Sequence, residues 1–451
     1  MKRKFLKFIN FTFVFLLLSF VAVAQDAAQK ADELVNAYMK LGGFSGSVLV
    51  SQNGKKILSK GYGMANYELD VPNKPDTKFR IGSVTKQFTA TAVMQLAERG
   101  ALKLEDPLSK YVPEYPKDVA DKITIHHLLT HTSGIFNYTR DPEFFKNMRV
   151  KMSLTELIAK FKDKPLDFEP GTKFNYSNSG YILLTVIVEK ASGKPYEQFL
   201  KENIFQPLGM NNTGYDYTEP ILKNRAAGYG YEGGKIKNAD YLDMSLPAGA
   251  GALYSTTEDL YLWDRALYTE KLVKKATMDK IFTTDKNNYA YGWIVDEQFK
   301  HKRITHNGGI NGFNSHIARF VNDDVCIVVL SNRIPSAASK IGKDLAAILF
   351  GEKYELPVER KTIAVDHKIL DTYVGEYQLE PNFILTVTRE GNSLMTQATG
   401  QSKVEVFAET ETRFFLTVTK ADIVFVKNEK GEVTGLILYQ GGREMPAKKI
   451  K

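Results

Sequence analysis

The sequence predicts an α+β domain, an antiparallel sheet flanked by helices with a mostly helical insertion, followed by a small all-β module with barrel-like strand spacing. Three observations predict it. Strand signals cluster near the start of the chain and return only after about residue 289. The stretch between about 100 and 245 carries helix and loop signals with few strands. From Asp371 onward the pattern changes to short β runs separated by polar turns.

Each element follows from its local pattern. Asp26 to Lys40 places Ala31, Leu34, Val35 and Tyr38 on one helical face. Gly46 to Ser51 and Lys56 to Tyr62 flank Asn53-Gly54, the dipeptide that best suits a tight hairpin. A helix begins at or next to Ser83, carries Phe88, Ala92, Met94 and Leu96, and ends at Gly100. A further apolar helix spans Tyr181 to Val188. Strand character then returns at Tyr289 to Val295, Arg303 to His306, Gly312 to Val321 and Val325 to Ser331, and a helix from Ser336 to Phe350 closes the domain. A sheet built from both ends of a domain leaves a crevice against the insertion, a natural place for a site. Gly351 to Lys368 is charged and proline-containing, as a linker would be. Beyond it, Phe383 to Thr388, Val404 to Phe407, Arg413 to Thr419, Ile423 to Val426 and Val433 to Tyr439 give a small barrel or sandwich. The expected organisation is 1–24 as a leader, 25–355 as the main domain and 356–451 as linker and β module.

The leader has a basic start (Lys2, Arg3, Lys4, Lys7), an apolar run from Phe8 to Val21 and the small-x-small ending Ala22-Val23-Ala24. This is the pattern of a cleaved export signal, and it predicts a periplasmic or extracellular protein. The alternative is an uncleaved anchor, for which the run is short and interrupted by Asn10, Thr12 and Ser19. Removing four basic residues from a net charge of +8 leaves +4, too mild for a nucleic-acid stripe. Cys326, the single cysteine, lies in Val325-Cys326-Ile327-Val328-Val329-Leu330 and is expected as a small core residue.

Three motifs carry chemistry. Ser83-Val84-Thr85-Lys86 sets a hydroxyl and an amine about one helical turn apart, so the amine can take the hydroxyl proton. An N-capping serine followed by a solvated lysine would look the same. Tyr176-Ser177-Asn178 follows a Glu169-Pro170-Gly171 turn. Its phenol could move a proton if Lys86 lies near, or simply pack, and Asn178 could orient an amide or cap the next helix. His306-Asn307-Gly308-Gly309 ends a short strand; its glycines would let a substrate lie against backbone and present an N–H to an oxyanion, or form a plain turn.

On these residues the chain resembles the serine β-lactamase-type hydrolases, nearest the class C β-lactamase, D,D-peptidase and esterase branch, over about Gly42 to Phe350. His127-Leu128-Leu129-Thr130-His131-Thr132-Ser133-Gly134, Pro207-Leu208-Gly209-Met210 and Pro247-Ala248-Gly249-Ala250-Gly251 resemble further markers of that family. The resemblance implies the β-lactamase/penicillin-binding-protein fold. It implies Ser83 as acylated nucleophile, Lys86 and Tyr176 as the proton-transfer pair with the base unassigned between them, and Asn178 as substrate-positioning residue. Gly308 and Gly309 fall to the oxyanion and substrate edge. His306 takes the place of the lysine in the family's K-T-G element. Histidine is mostly neutral at pH 7, so the carboxylate of a β-lactam loses a cation and hydrolysis of a small peptide or ester substrate, such as a cell-wall-derived peptide, is favoured. The alternatives are a β-lactamase proper and a silent binder of cell-wall peptides.

Other signals are set aside. His127 and His131 lack the intervening glutamate of a zinc-protease helix, and no metal or other cofactor is expected. Gly228 to Gly233 matches G-x-G-x-x-G but is expected to be a loop. No G-x-S-x-G nucleophile elbow occurs.

Overall fold

The computed structural model describes residues 25–451 except 233–234, 359, 382, 400–402, 417–420 and 441–442. The leader therefore lies outside the described residues. The chain divides into two compact units, one ending at Pro357 and one spanning Val358–Lys451.

The first unit is built on a six-stranded antiparallel sheet. Helix α1 covers 25–40. Strands β1 (Gly46–Gln52) and β2 (Lys55–Tyr62) form the hairpin, and Asn53 and Gly54 both adopt positive φ, the conformation a two-residue type I′ turn requires. Strands β3 (Ile294–Gln298), β4 (His301–Ile310), β5 (Phe313–Phe320) and β6 (Val325–Ser331) complete the sheet in the order β3-β4-β5-β6-β1-β2. The first and last thirds of the unit thus meet where β1 pairs with β6, Val48 opposite Val329.

Alternation along the strands divides the core in two. Val48, Val50, Phe320, Ile327 and Val329 face α1 and the last helix of the unit, α4 (Ala338–Phe350), through Leu34, Val35, Ile341 and Leu345. Leu49, Ile317, Cys326, Val328 and Leu330 face the helical insertion. Its centre is α2 (Thr85–Glu98) and α3 (Asn178–Ser192), both buried along most of their length. Cys326 is fully buried and burial pushes its thiol well up, as a core residue requires.

Two expectations need correction. The segment expected as a loop contains a strand, Tyr229–Glu232, which pairs in parallel with Arg333–Ile334 and antiparallel with Lys235–Asn238. Tertiary pairing decides it, since no local apolar run marks the strand. The strand expected from Tyr289 begins only at Ile294, because Gly292 (φ 77°) packs against the α2 backbone: a Cβ there would lie 2.6 Å from the Lys86 carbonyl oxygen.

The second unit is a closed eight-stranded barrel running from Gly375–Glu380 to Arg443–Lys449, preceded by the short helix α5, His367–Tyr373. Its interior is filled by side chains: Tyr373 stacks on Phe425 at 4.1 Å, and Tyr377, Leu394, Phe414 and Leu436 are buried with them.

Candidate active site

Ser83 sits on a single 3₁₀ turn, Gly82–Val84, that leads directly into α2. From 81 to 96 it is the one residue that is not buried, so the chain offers a lone hydroxyl at the mouth of an otherwise packed helix. Gly82 (φ 50°) makes this possible. A Cβ on it would lie 3.0 Å from the Gly309 nitrogen, so the nucleophile turn and the Gly308-Gly309 strand lie backbone to backbone.

Lys86 projects back under Ser83 and is fully buried. Its Nζ lies 3.2 Å from Ser83 Oγ and 2.8 Å from both Asn178 Oδ1 and the Ala250 carbonyl oxygen. The rings of Tyr176 and Tyr181 stand 4.8 and 5.3 Å from it. No carboxylate pairs with it among the described residues, and burial holds its pKa well below the ordinary lysine value. Burial favours the neutral amine; in that form Asn178 Oδ1 and the Ala250 carbonyl, which can only accept, take its two N–H bonds and leave its lone pair toward the Ser83 hydroxyl, whereas the ammonium would donate to all three oxygens.

Asn178 is itself held. Its Nδ2 donates to Thr139 Oγ1 (3.2 Å), and its backbone N–H donates to Asn137 Oδ1 (3.1 Å). The N-cap position belongs to Ser177, and Asn178 is the first residue of α3. The capping alternative for Asn178 is thus replaced by a contact to Lys86.

Tyr176 places its ring over Lys86 and its hydroxyl in a buried position with no hydrogen-bond partner meeting ordinary geometry among the described residues. Burial pushes the phenol well above its usual pKa, and the nearby Ser83 hydroxyl offsets part of that rise. Tyr176 is therefore a neutral phenol that can donate a proton.

His306, Asn307, Gly308 and Gly309 lie inside the ten-residue strand β4, not in a turn. Strand β3 pairs only as far as Thr305, so 306–310 have β5 on one side and no strand on the other. That open edge faces the nucleophile turn. A Cβ on Gly308 would fall 2.0 Å from the Ile81 carbonyl oxygen, whereas Gly309 is exposed. His306 is buried at 4% exposure. Its Nδ1 donates to the Asn307 carbonyl (2.6 Å), which leaves Nε2 to accept from the Tyr289 hydroxyl (3.0 Å). Burial, with Lys86 nearby, lowers its pKa to about 4, so it brings no positive charge at pH 7.

All seven predicted residues thus converge. Sequence reasoning missed Tyr289, the Asn137–Thr139 support and the Ala250 carbonyl. It also set His131 aside, although that ring lies 4.2 Å from Tyr176. The Thr-His-Thr-Ser-Gly and Pro-Ala-Gly-Ala-Gly segments were the available signals. No group of three or more His, Cys, Asp or Glu side chains that could hold a metal occurs among the described residues.

The family model described as Beta-lactamase matches residues 31–351, and one described as Domain of unknown function (DUF3471) matches 359–449. Penicillin-binding protein 4* of Bacillus subtilis (strain 168) is 32% identical over 442 residues, covering 90% of this chain and 95% of that protein. The octameric penicillin-binding protein homologue from Pyrococcus abyssi superposes with a TM-score of 0.66 at 27% identity, over 93% of this chain and 99% of its own. A D-stereospecific amidohydrolase from Streptomyces sp. matches at TM-score 0.60 and 25% identity, over 74% of this chain and 99% of its own.

Proposed function

Since the chain belongs to the Beta-lactamase family and is a serine hydrolase of it, we propose that it is an exported enzyme that acylates Ser83 and hydrolyses an amide or ester bond in a small peptide or D-amino-acid substrate. The observation that carries the reading is the Lys86 amine: buried, without a counter-ion among the described residues, bonded to Asn178 Oδ1 and the Ala250 carbonyl and 3.2 Å from Ser83 Oγ.

In this reading neutral Lys86 is the base. It takes the Ser83 proton as Oγ bonds to the substrate carbonyl carbon, and the tetrahedral oxyanion accepts hydrogen bonds from the Ser83 and Gly309 N–H groups. Tyr176, held as a phenol, gives its proton to the departing amine or alkoxide as the carbon–leaving-group bond breaks, and recovers one from Lys86. Water then attacks the ester carbonyl, the Ser83 oxygen leaves and regains a proton, and the acid product departs. The open β4 edge would hold the substrate backbone as an added strand, with Asn178 beside it.

The substrate class rests on His306. Neutral at pH 7, it offers no cation to a β-lactam carboxylate, which supports peptide, amide or ester substrates. The D-stereospecific amidohydrolase among the similar structures supports an amide substrate. Export rests on the leader; no helix among the described residues is long and apolar enough to cross a membrane. N-terminal sequencing of the exported protein should begin at Gln25.

A fluorophosphonate probe with peptide mapping tests the nucleophile. Labelling at Ser83 that disappears in Ser83→Ala is expected; no labelling, or labelling that survives, refutes the reading and favours a silent binder. D-Ala-D-Ala peptides, D-amino-acid amides, short esters and a chromogenic cephalosporin then rank substrates, with the cephalosporin slowest.

A further inference from the structure

We infer that His131 is a positioning residue for Tyr176, holding its phenol over Lys86 and Ser83 from both flanks of the loop that carries it. The inference rests on the acyl-enzyme reading above.

Two segments are laced together beside the nucleophile. The Gly134 carbonyl accepts from the Asp167 N–H (2.8 Å), Thr132 from Gly171 (2.8 Å) and His131 from Asn175 (2.9 Å). The lacing then changes character. The Ser177 N–H donates not to backbone but to His131 Nδ1, at 3.1 Å. Asn175 and Ser177 flank Tyr176, so one residue fixes the backbone on both sides of the phenol. Its ring also lies against the Tyr176 ring, 4.2 Å between centroids at a 38° tilt, and packs on Tyr181 and Tyr289 at 5.1 and 4.6 Å.

The backbone of His131 is what allows both contacts. It adopts φ 58°, a left-handed conformation uncommon for a residue with a side chain. That conformation aims its carbonyl and its ring at the same loop. The accepted N–H also fixes its chemistry: Nδ1 must carry the lone pair, so the proton is on Nε2 and the ring is neutral. Burial and the neighbouring Lys86 and His306 oppose protonation as well. Its Nε2 is buried without a hydrogen-bond partner among the described residues, so this nitrogen earns no bond that would by itself explain a histidine here.

The requirement is for an acceptor and a flat ring on a left-handed residue, and two substitutions separate these. His131→Asn keeps an acceptor near the Nδ1 position and tolerates the backbone. His131→Phe keeps the ring and leaves the Ser177 N–H unpaired. Burst kinetics with p-nitrophenyl acetate give the acylation rate. His131→Phe is expected to lower it by about 30-fold with little change in KM, and His131→Asn by about 5-fold. The deciding measurement is a double-mutant cycle with Tyr176→Phe. If His131 acts through the phenol, either His131 substitution in the Tyr176→Phe background costs less than about 2-fold. Equal losses in both backgrounds, or no loss in the wild-type background, overturn the inference. Should His131→Phe not fold, the His131→Asn cycle decides alone. Loss of Ser83 labelling in the wild-type protein would remove the acyl-enzyme reading and this inference together; a failed cycle with labelling intact removes only the inference.

Discussion

His306 makes acid stability a direct test of how the site is charged. Its pKa falls from about 6.5 unfolded to about 4 folded, because the ring is buried beside Lys86, and the Nδ1–H bond to the Asn307 carbonyl offsets only part of that fall. The unfolded chain therefore binds a proton that the folded chain refuses between these two values. Above pH 6.5 there is no penalty. As pH falls, stability drops by about 1.4 kcal/mol per pH unit, and the loss levels off below pH 4. Between pH 7 and pH 4.5 this one group costs about 2.5 kcal/mol. His306→Gln removes the titration while keeping an acceptor for Tyr289. Urea unfolding is the assay, read by tryptophan fluorescence, because Trp263 and Trp293, the only two in the chain, are both buried in the same unit as His306. The other titrations cancel in the comparison. Wild type should lose about 2.5 kcal/mol more than the variant over that interval, near 0.8 M in urea midpoint at a slope of about 3 kcal/mol/M. Parallel loss in the two proteins would show that His306 is not held neutral and would sink the substrate argument built on it.

Three further outcomes follow from the same geometry. Lys86→Met should abolish acylation by about 10³-fold or more, and in wild type kcat/KM should fall as pH drops through the Lys86 pKa, with its midpoint below the ordinary lysine value; a stopped-flow pH series checks both. Gly308→Ala should cut acylation by about 10²-fold, measured by ester burst kinetics, because its Cβ would fall 2.0 Å from the Ile81 carbonyl and displace the turn that carries Ser83. His306→Lys should raise cephalosporin acylation by about 10-fold in a chromogenic assay by supplying a charge-assisted hydrogen bond to the substrate carboxylate.

The parts legible in the sequence were those set by local pattern. Asn53-Gly54 specifies its own turn, and the alternating runs of β1, β5 and β6 specify which side chains enter which core. Ser83 and Lys86 were legible together because a helix fixes their separation. Illegible residues are those whose role depends on a partner far along the chain. Tyr289 looked like the start of a strand, but its hydroxyl meets His306 only because Gly292 bends the chain against α2. Tyr229–Glu232 became a strand by pairing with Arg333–Ile334, some hundred residues on. A spacing test for zinc ligands asked of His131 only whether it could bind metal, and had no means to see a backbone N–H arriving from Ser177.

These distant contacts share a physical purpose. A buried lysine with a carboxylate partner would stay protonated, and a protonated Lys86 could not accept a proton from Ser83. Asn178, Thr139, the Ala250 carbonyl and Tyr176 surround it with dipoles and rings but no anion. The nearby histidines are neutral too, His131 by accepting from Ser177 and His306 because burial beside Lys86 lowers its pKa to about 4. Each neutral histidine thus keeps a second cation out of the cavity, where, with no substrate carboxylate to balance it, it would lower the amine's proton affinity further. For the proposed mechanism the Lys86 pKa has to meet two demands, and burial without an anion serves the first: low enough for a free lone pair, high enough to take a proton from a hydroxyl as its oxygen bonds to carbon.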